Sequence, residues 1–307
     1  MRFEDDGHGR LHLRDGDRVL AEYVYAPTEP QLESPRPYAL LHTRGGAEVT
    51  AYRPDDHVWH KGLSLALPVV GTHNFWGGPT YVHGEGYVQQ PNNGAQVHRG
   101  FAASDTPIGD AAGGIARIDE ALDWIAEDGE LVLTEHRTLT ARELDADTWA
   151  LTWRSALRNE TDAVLGFGSP TSKGRENAGY AGIFWRGPVA FTGGEILAEG
   201  GVAGDAARGE PGPWLAFVAP DRSAGVLVLD AGTDPSPWFA RSEEYAGLNP
   251  APFFYDETPL APGATLVLAA ALIVGTAEVA ALAASSGANL VAELRDHPET
   301  PTTEDPR

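Results

Sequence analysis

The chain has no cysteine. Disulfides and thiolate chemistry are excluded, and a bound metal would need nitrogen and oxygen ligands. Lysine is almost missing as well. Of 22 basic residues only Lys61 and Lys173 are lysines, leaving 20 arginines (22 − 2). Positive charge is scarce overall: 44 acidic residues give a formal net charge of −22. Such a surface repels phosphates, so nucleic acids and anionic membranes are not expected partners. A neutral or cationic small molecule suits it better.

Long hydrophobic runs are also lacking. The most apolar stretch, residues 266–284, is interrupted by Gly275, Thr276 and Glu278, and residues 266–274 read as a strand. No membrane span is expected. The N-terminus lacks the basic-then-apolar pattern of a signal peptide, so the cytoplasm is the default location. There is no P-loop, no HExxH, no GxSxG elbow, and no dinucleotide fingerprint between a strand and a helix. Nucleotide hydrolysis, zinc proteolysis, serine hydrolysis and Rossmann redox chemistry are therefore set aside.

What is present is concentrated. Residues 55–101 hold five of the ten histidines: His57, His60, His73, His83 and His98. Around them stand Trp59, Trp76, Tyr81, Tyr87, Asn74 and Lys61. Residues 71–100 read as a long loop rich in Gly, Pro and Asn, and long structured loops often carry function.

The surrounding chain alternates apolar and polar residues with period two, as half-buried antiparallel strands do. Residues 10–25 read as a hairpin about Asp15 and Gly16. Strand signals recur at 115–125, 130–141, 148–158, 163–169, 189–192, 214–219 and 225–230. The best helix signal comes late, from Thr276 towards Leu294, with Ser285, Ser286 and Gly287 able to break it. Regularly spaced strands with little helix predict an all-β fold: a large antiparallel β-sandwich, similar to the galactose-mutarotase-like supersandwich, with one C-terminal helix. One domain over residues 1–296 and a disordered tail at 297–307 are expected.

Pro54 and the Asp55–Asp56 pair favour a turn that lets His57 and His60 point at one centre. Imidazole suits both proton transfer and metal binding. With His98, or with Glu135 or His136 from a strand, they could complete a site for a divalent metal. Alternation puts Glu135 and Arg137 on one strand face. Trp76 and Asn74 offer an aromatic face and an amide to a sugar ring. Further polar groups come from the glycine-rich segment 170–188, with Arg175, Asn177 and Arg186, and from Arg241 and Glu243, which share a face if extended.

The phrases RPYALLHT, DHVWHKGLS, NFWGGPTYV, NAGYAGIFWRGP and PWFARSEEY, in this order, resemble a soluble bacterial family labelled methane oxygenase PmoA, a PmoA-like domain of unknown function. Methane oxidation belongs to a membrane subunit of the same name and is not carried over to a chain without a spanning helix. The resemblance implies carbohydrate work, because members accompany sugar-catabolic genes.

The expected function is that of a carbohydrate-active enzyme using proton transfer on a sugar or glycoside, as a hydrolase, lyase or epimerase. His57, His60, Glu135 and His98 are the candidate catalytic residues. Asn74, Trp76, Lys61, Arg175, Asn177 and Arg241 would bind substrate. His57, His60 and His98 are the alternative metal ligands. A non-catalytic carbohydrate-binding protein and a metal-dependent oxygenase of jelly-roll type remain alternatives. The oligomeric state is not legible.

Overall fold

In the strand Ile115–Ile125, Ile118, Glu120, Leu122 and Trp124 are buried, while Arg117 and Ala121 between them are exposed. This period of two repeats through the molecule and builds two antiparallel sheets. A computed structural model describes residues 1–102 and 114–296 of the chain. The predicted disordered tail at 297–307 lies outside the described residues.

The first sheet has eight strands, in the order Arg2–Asp5, Arg10–Asp15, Arg18–Val24, Tyr38–Leu41, Leu63–Ala66, Gly182–Arg186, Gly247–Pro250 and Trp238–Arg241. The second has nine, in the order Gly201–Val202, Glu195–Ala198, Trp214–Val218, Gly225–Asp230, Thr265–Gly275, Trp149–Asn159, Leu131–Glu143, Ile115–Ile125 and Ala95–Phe101. This is the large antiparallel β-sandwich predicted above, at supersandwich size. The hairpin about Asp15 and Gly16 is present, with Asp15 paired to Arg18.

Apolar residues make three layers. Leu63, Leu65, Ile183, Trp185, Leu248 and Ala240 face the second sheet, where Leu139, Leu151, Trp153 and Leu272 meet them. The α-helix Ala288–Asp296 covers the far side of the second sheet, packing Leu290 and Leu294 on Ala271 and Ile273. On the far side of the first sheet, Ala66, Phe184 and Phe239 form a separate cluster with Trp76, Tyr245 and Phe254. Alternation along Gly182–Arg186 explains the split: Ile183 and Trp185 point to the core, Phe184 to the outer face. Buried indoles find acceptors, as they must: Trp149 donates to His42 O (2.9 Å) and Trp185 to Val49 O (2.8 Å).

Three local expectations are revised. The late helix starts at Ala288; before it, Val279–Leu282 is a 3-10 turn and Ala283–Gly287 a π turn. Ser285, Ser286 and Gly287 are poor helix formers and carry the irregularity. Val189–Phe191 is a 3-10 turn after Pro188 rather than a strand. The loop at 71–100 contains a small hairpin, Thr80–Val82 with Gly86–Val88, and the start of the edge strand Ala95–Phe101. No helix among the described residues is long and apolar enough to cross a membrane.

Candidate functional site

Pro54 opens two successive turns. The His57 amide donates to Pro54 O (3.0 Å) and the His60 amide to His57 O (2.9 Å). The turns bring both imidazoles together on the outer face of the first sheet. Their rings stack, with centroids 4.6 Å apart and planes within 8°. The convergence expected from the spacing is real, and its geometry decides between the two roles. A metal bound by imidazole sits in the ring plane, and two parallel stacked planes do not meet at one ion. His98 belongs to the far edge strand, where Nδ1 pairs with Glu120 (2.6 Å) and the ring packs on Tyr25 and Phe101. Among the described residues no group of three or more His, Cys, Asp or Glu side chains is placed to hold a metal. The His57–His60–His98 ligand set, and the oxygenase reading that needs three converging ligands, therefore do not fit this arrangement.

The protonation pattern follows from the neighbours. Asp56 Oδ2 lies 2.9 Å from His57 Nδ1. A carboxylate only accepts, so Nδ1 carries the hydrogen and Nε2 keeps a lone pair. Arg186 donates from Nη2 to both Asp56 oxygens (3.0 and 2.9 Å). Burial pushes the Asp56 carboxyl up, but hydrogen bonds from His57 and Arg186 outweigh it and hold the group below the usual aspartate range. Arg186 also donates from Nη1 to His60 Nδ1 (2.9 Å). An arginine cannot accept, so the hydrogen of His60 sits on Nε2. Burial first, and then its neighbours His57 and Arg186, hold His60 well below the usual histidine value. His60 is thus a neutral hydrogen-bond donor, while His57 is 37% exposed and presents its Nε2 lone pair.

Aromatic walls surround this pair. The Arg186 guanidinium lies over the Tyr245 ring at 4.0 Å. Burial pushes the Tyr245 hydroxyl up to about 12, so it stays protonated at neutral pH. Trp59 meets His57 edge-on at 5.4 Å. Trp76 lies beneath, 4% exposed, packed on His60 (5.7 Å), Phe184 (5.0 Å) and Tyr180 (4.5 Å). Trp76 supports the surface that Trp59 and Tyr180 offer. Two glycines make room for it: a Cβ on Gly77 would fall 2.7 Å from Trp59 Cβ, and one on Gly78 2.8 Å from the indole ring. Both have positive φ, +103° and +69°, which glycine tolerates.

Arg36 ties these walls together. It is fully buried and donates to Trp59 O (2.7 Å), Trp76 O (2.9 Å), Ser34 O (3.1 Å) and Ser64 Oγ (3.1 Å).

Other predicted residues lie elsewhere or are occupied. Lys61 is completely buried, bound to Glu33 and to Val58 O (3.2 Å), so its ammonium is withdrawn from solvent. Asn74 shapes its own loop: Oδ1 accepts from the amides of Trp76 (2.9 Å) and Gly77 (3.0 Å), and Nδ2 donates to Gly78 O and Thr80 Oγ1. Glu135 is buried between the sheets, not on the outer face. There it accepts from Arg137, Trp124 and Ser155.

Arg175 reaches the rim of the outer face, donating to Tyr87 OH, which meets Tyr180 OH at 2.8 Å. Asn177 is exposed on the same loop with φ +58°. Arg241 faces Phe239 (5.6 Å) and Tyr245 (5.8 Å) and pairs with Glu244 rather than Glu243. Asp56, Tyr245 and Tyr180 stand outside the predicted set of site residues, and Arg186 was expected only as one more polar group of the 170–188 segment. Alternation along Gly182–Arg186, which sets Phe184 and Arg186 opposite the core-facing Ile183 and Trp185, is the signal for Arg186.

Two concavities lie apart from this site. One of about 520 Å³ surrounds the loop after Asp230, whose carboxylate is held by the amides of Gly232 and Ser236. One of about 730 Å³ lies against the alanine-rich segment before the C-terminal helix. Neither contains a histidine.

A family model described as "Family of unknown function (DUF6807)" matches residues 10–288. No curated protein matches the sequence. Among solved structures, the chain is similar to the galactosidase domain of alpha-galactosidase-sucrose kinase, AgaSK, with TM-score 0.47 and 10% identity over 89% of this chain and 41% of that one. It is similar to a mutant of heparan sulfate lyase HepC from Pedobacter heparinus, with TM-score 0.44 and 8% identity over 90% of this chain and 37% of that one. The alpha-galactosidase from Lactobacillus brevis gives TM-score 0.41 and 10% identity over 89% and 40%. The chain spans about two fifths of the length of these proteins.

Proposed function

The chain belongs to the DUF6807 family of unknown function, and from that premise we propose that it is a carbohydrate-active enzyme whose outer-face site moves a proton on a sugar or glycoside. The observation that carries this reading is the Asp56–His57 pair set against Trp59 and Tyr245, with Tyr180 beyond them on Trp76. Indole and phenol rings stack on the C–H faces of sugars and leave the hydroxyls to polar partners.

His57 Nε2 takes the proton. Asp56 fixes the tautomer and stabilises the imidazolium that forms. Arg186 holds Asp56 in place and fixes the His60 tautomer, so that His60 carries its hydrogen on Nε2 beneath the stacked His57 ring. The protonated Tyr245 hydroxyl is a donor. Hydrolysis, lyase-type elimination and epimerisation all begin with a transfer of this kind. A purely binding protein would need the aromatic walls and not the Asp56–His57–Arg186 chain.

The test is a panel of oxidised and unoxidised glycosides offered to wild type and His57→Ala. General acid–base catalysis contributes roughly 10²- to 10⁴-fold, so the variant should lose about that much turnover while keeping its fold. Equal turnover by both proteins, or no turnover by either, overturns the reading.

A further inference from the structure

The charge of the outer face runs against the charge of the whole. The protein carries a net −22, yet Arg186 and Arg241 lie over the Tyr245 ring and Arg175 bonds the Tyr87 hydroxyl that meets Tyr180. Arg186 is committed inward to His60 and Asp56. The other two are differently held. Arg241, with 15% of its side chain exposed, lies over Phe239 and Tyr245 and pairs with Glu244, which is 69% exposed and three residues away. Arg175 lies over the Tyr87 ring at 4.6 Å and donates to a hydroxyl, not a carboxylate. That hydroxyl continues to Tyr180, which packs on Phe239 at 5.5 Å. Arg175 and Arg241 therefore lie at either end of one aromatic path, Tyr87–Tyr180–Phe239.

We propose that Arg241 forms an anion subsite, with Arg175 adding positive charge at the far end of the same path, so that the sugar bound here carries a carboxylate or a phosphate. The proposal rests on reading the outer face as a sugar site and names the class of sugar. A sugar hydroxyl leaves the charge of a guanidinium unmatched, and a protein of this net charge repels anions unless local cations are built in. Arginine's planar fork matches carboxylate and phosphate with two parallel hydrogen bonds. Glu244 stands in for the ligand anion in the free protein. Exposed ion pairs are weak, so a substrate anion displaces it readily.

Binding of glucuronate, glucose 6-phosphate, glucose and inorganic phosphate is measured by calorimetry on wild type, Arg241→Gln, Arg241→Lys and Glu244→Gln. Circular dichroism checks that each variant is folded. One or both acidic sugars should bind wild type at least tenfold tighter than glucose, and their ranking separates carboxylate from phosphate. Arg241→Gln should bring them to the glucose level, with part of the gain kept in Arg241→Lys. Glu244→Gln should tighten them severalfold, because the competing carboxylate is gone. The subsite is overturned if acidic and neutral sugars bind alike, if nothing binds, if phosphate alone binds as well as the acidic sugars, or if Arg241→Gln leaves the preference intact. Acidic sugars bound through Arg241 without turnover would instead overturn the enzymatic reading and leave the subsite standing. His57-dependent turnover of neutral glycosides, indifferent to Arg241→Gln, would do the reverse.

Discussion

Between the sheets, Glu135 accepts four hydrogen bonds: from Arg137 Nε (2.7 Å) and Nη2 (2.8 Å), Trp124 Nε1 (2.7 Å) and Ser155 Oγ (2.5 Å). Arg137 also reaches Tyr23 OH and Gln96 Oε1, and Tyr23 bonds Glu120. On the outer face, Asp56 accepts from His57 and Arg186 and is 44% exposed, while the Arg186 Nε has no partner. Both regions combine carboxylates, arginine and aromatic rings, and each includes a histidine. The inner one has used its hydrogen-bonding capacity and excluded water, so it fixes the packing of the sheets. The outer one keeps a lone pair on His57, an unpartnered donor on Arg186 and two side chains partly exposed to solvent. Reactivity follows from the bonds left unmade, not from residue types.

Arg137→Met should draw the contrast most sharply. It strands the Glu135 carboxylate in the core, and breaking a buried pair this way costs about 3–5 kcal/mol. Urea unfolding should show that loss. A loss below about 1 kcal/mol, the worth of an exposed pair, would erase the difference between the regions.

Asp56→Asn should do the opposite. Hydrogen bonds to charged groups are worth about 1.5–3 kcal/mol, so turnover should fall on the order of 10- to 100-fold with little change in the urea midpoint. A stability loss with unchanged turnover would make the outer network structural as well.

The smallest effect is the pH response of His60. Its folded pKa lies below its unfolded value of about 6.5, so below that pH the unfolded chain binds the extra proton. Stability should be full above about pH 6.5 and fall by up to about 1.4 kcal/mol per unit as pH drops towards the folded value. His60→Gln, which keeps an acceptor for Arg186, should flatten that slope between pH 7 and 5. An unchanged slope would mean His60 is not held neutral by the fold.

The sandwich was legible because period-two alternation is local and long, as in Ile115–Ile125 and Leu131–Glu143. The meeting of His57 and His60 was legible because Pro54 and the Asp pair force a turn within the segment itself. Alternation also put Glu135 and Arg137 on one face, but it could not say whether that face looked to solvent or to the other sheet. Arg186, 126 residues from His60, joins the site only through sheet pairing. His98 shares a segment with the histidine pair, but its strand belongs to the other sheet. Closeness in sequence was misleading there because the chain leaves the first sheet after Ala66 and enters the second at Ala95.

Arg36 gives the site a keystone. One side chain grips the backbones of both Trp59 and Trp76, so the two walls share an anchor and cannot be adjusted separately from it. Variation that reshapes the ligand surface is therefore confined to what hangs from the frame: the ring at Tyr180, the loop bearing Arg175 and Asn177, and the Arg241–Glu244 rim. A redesign of selectivity should keep Arg36, Gly77 and Gly78 fixed and search among those outer positions.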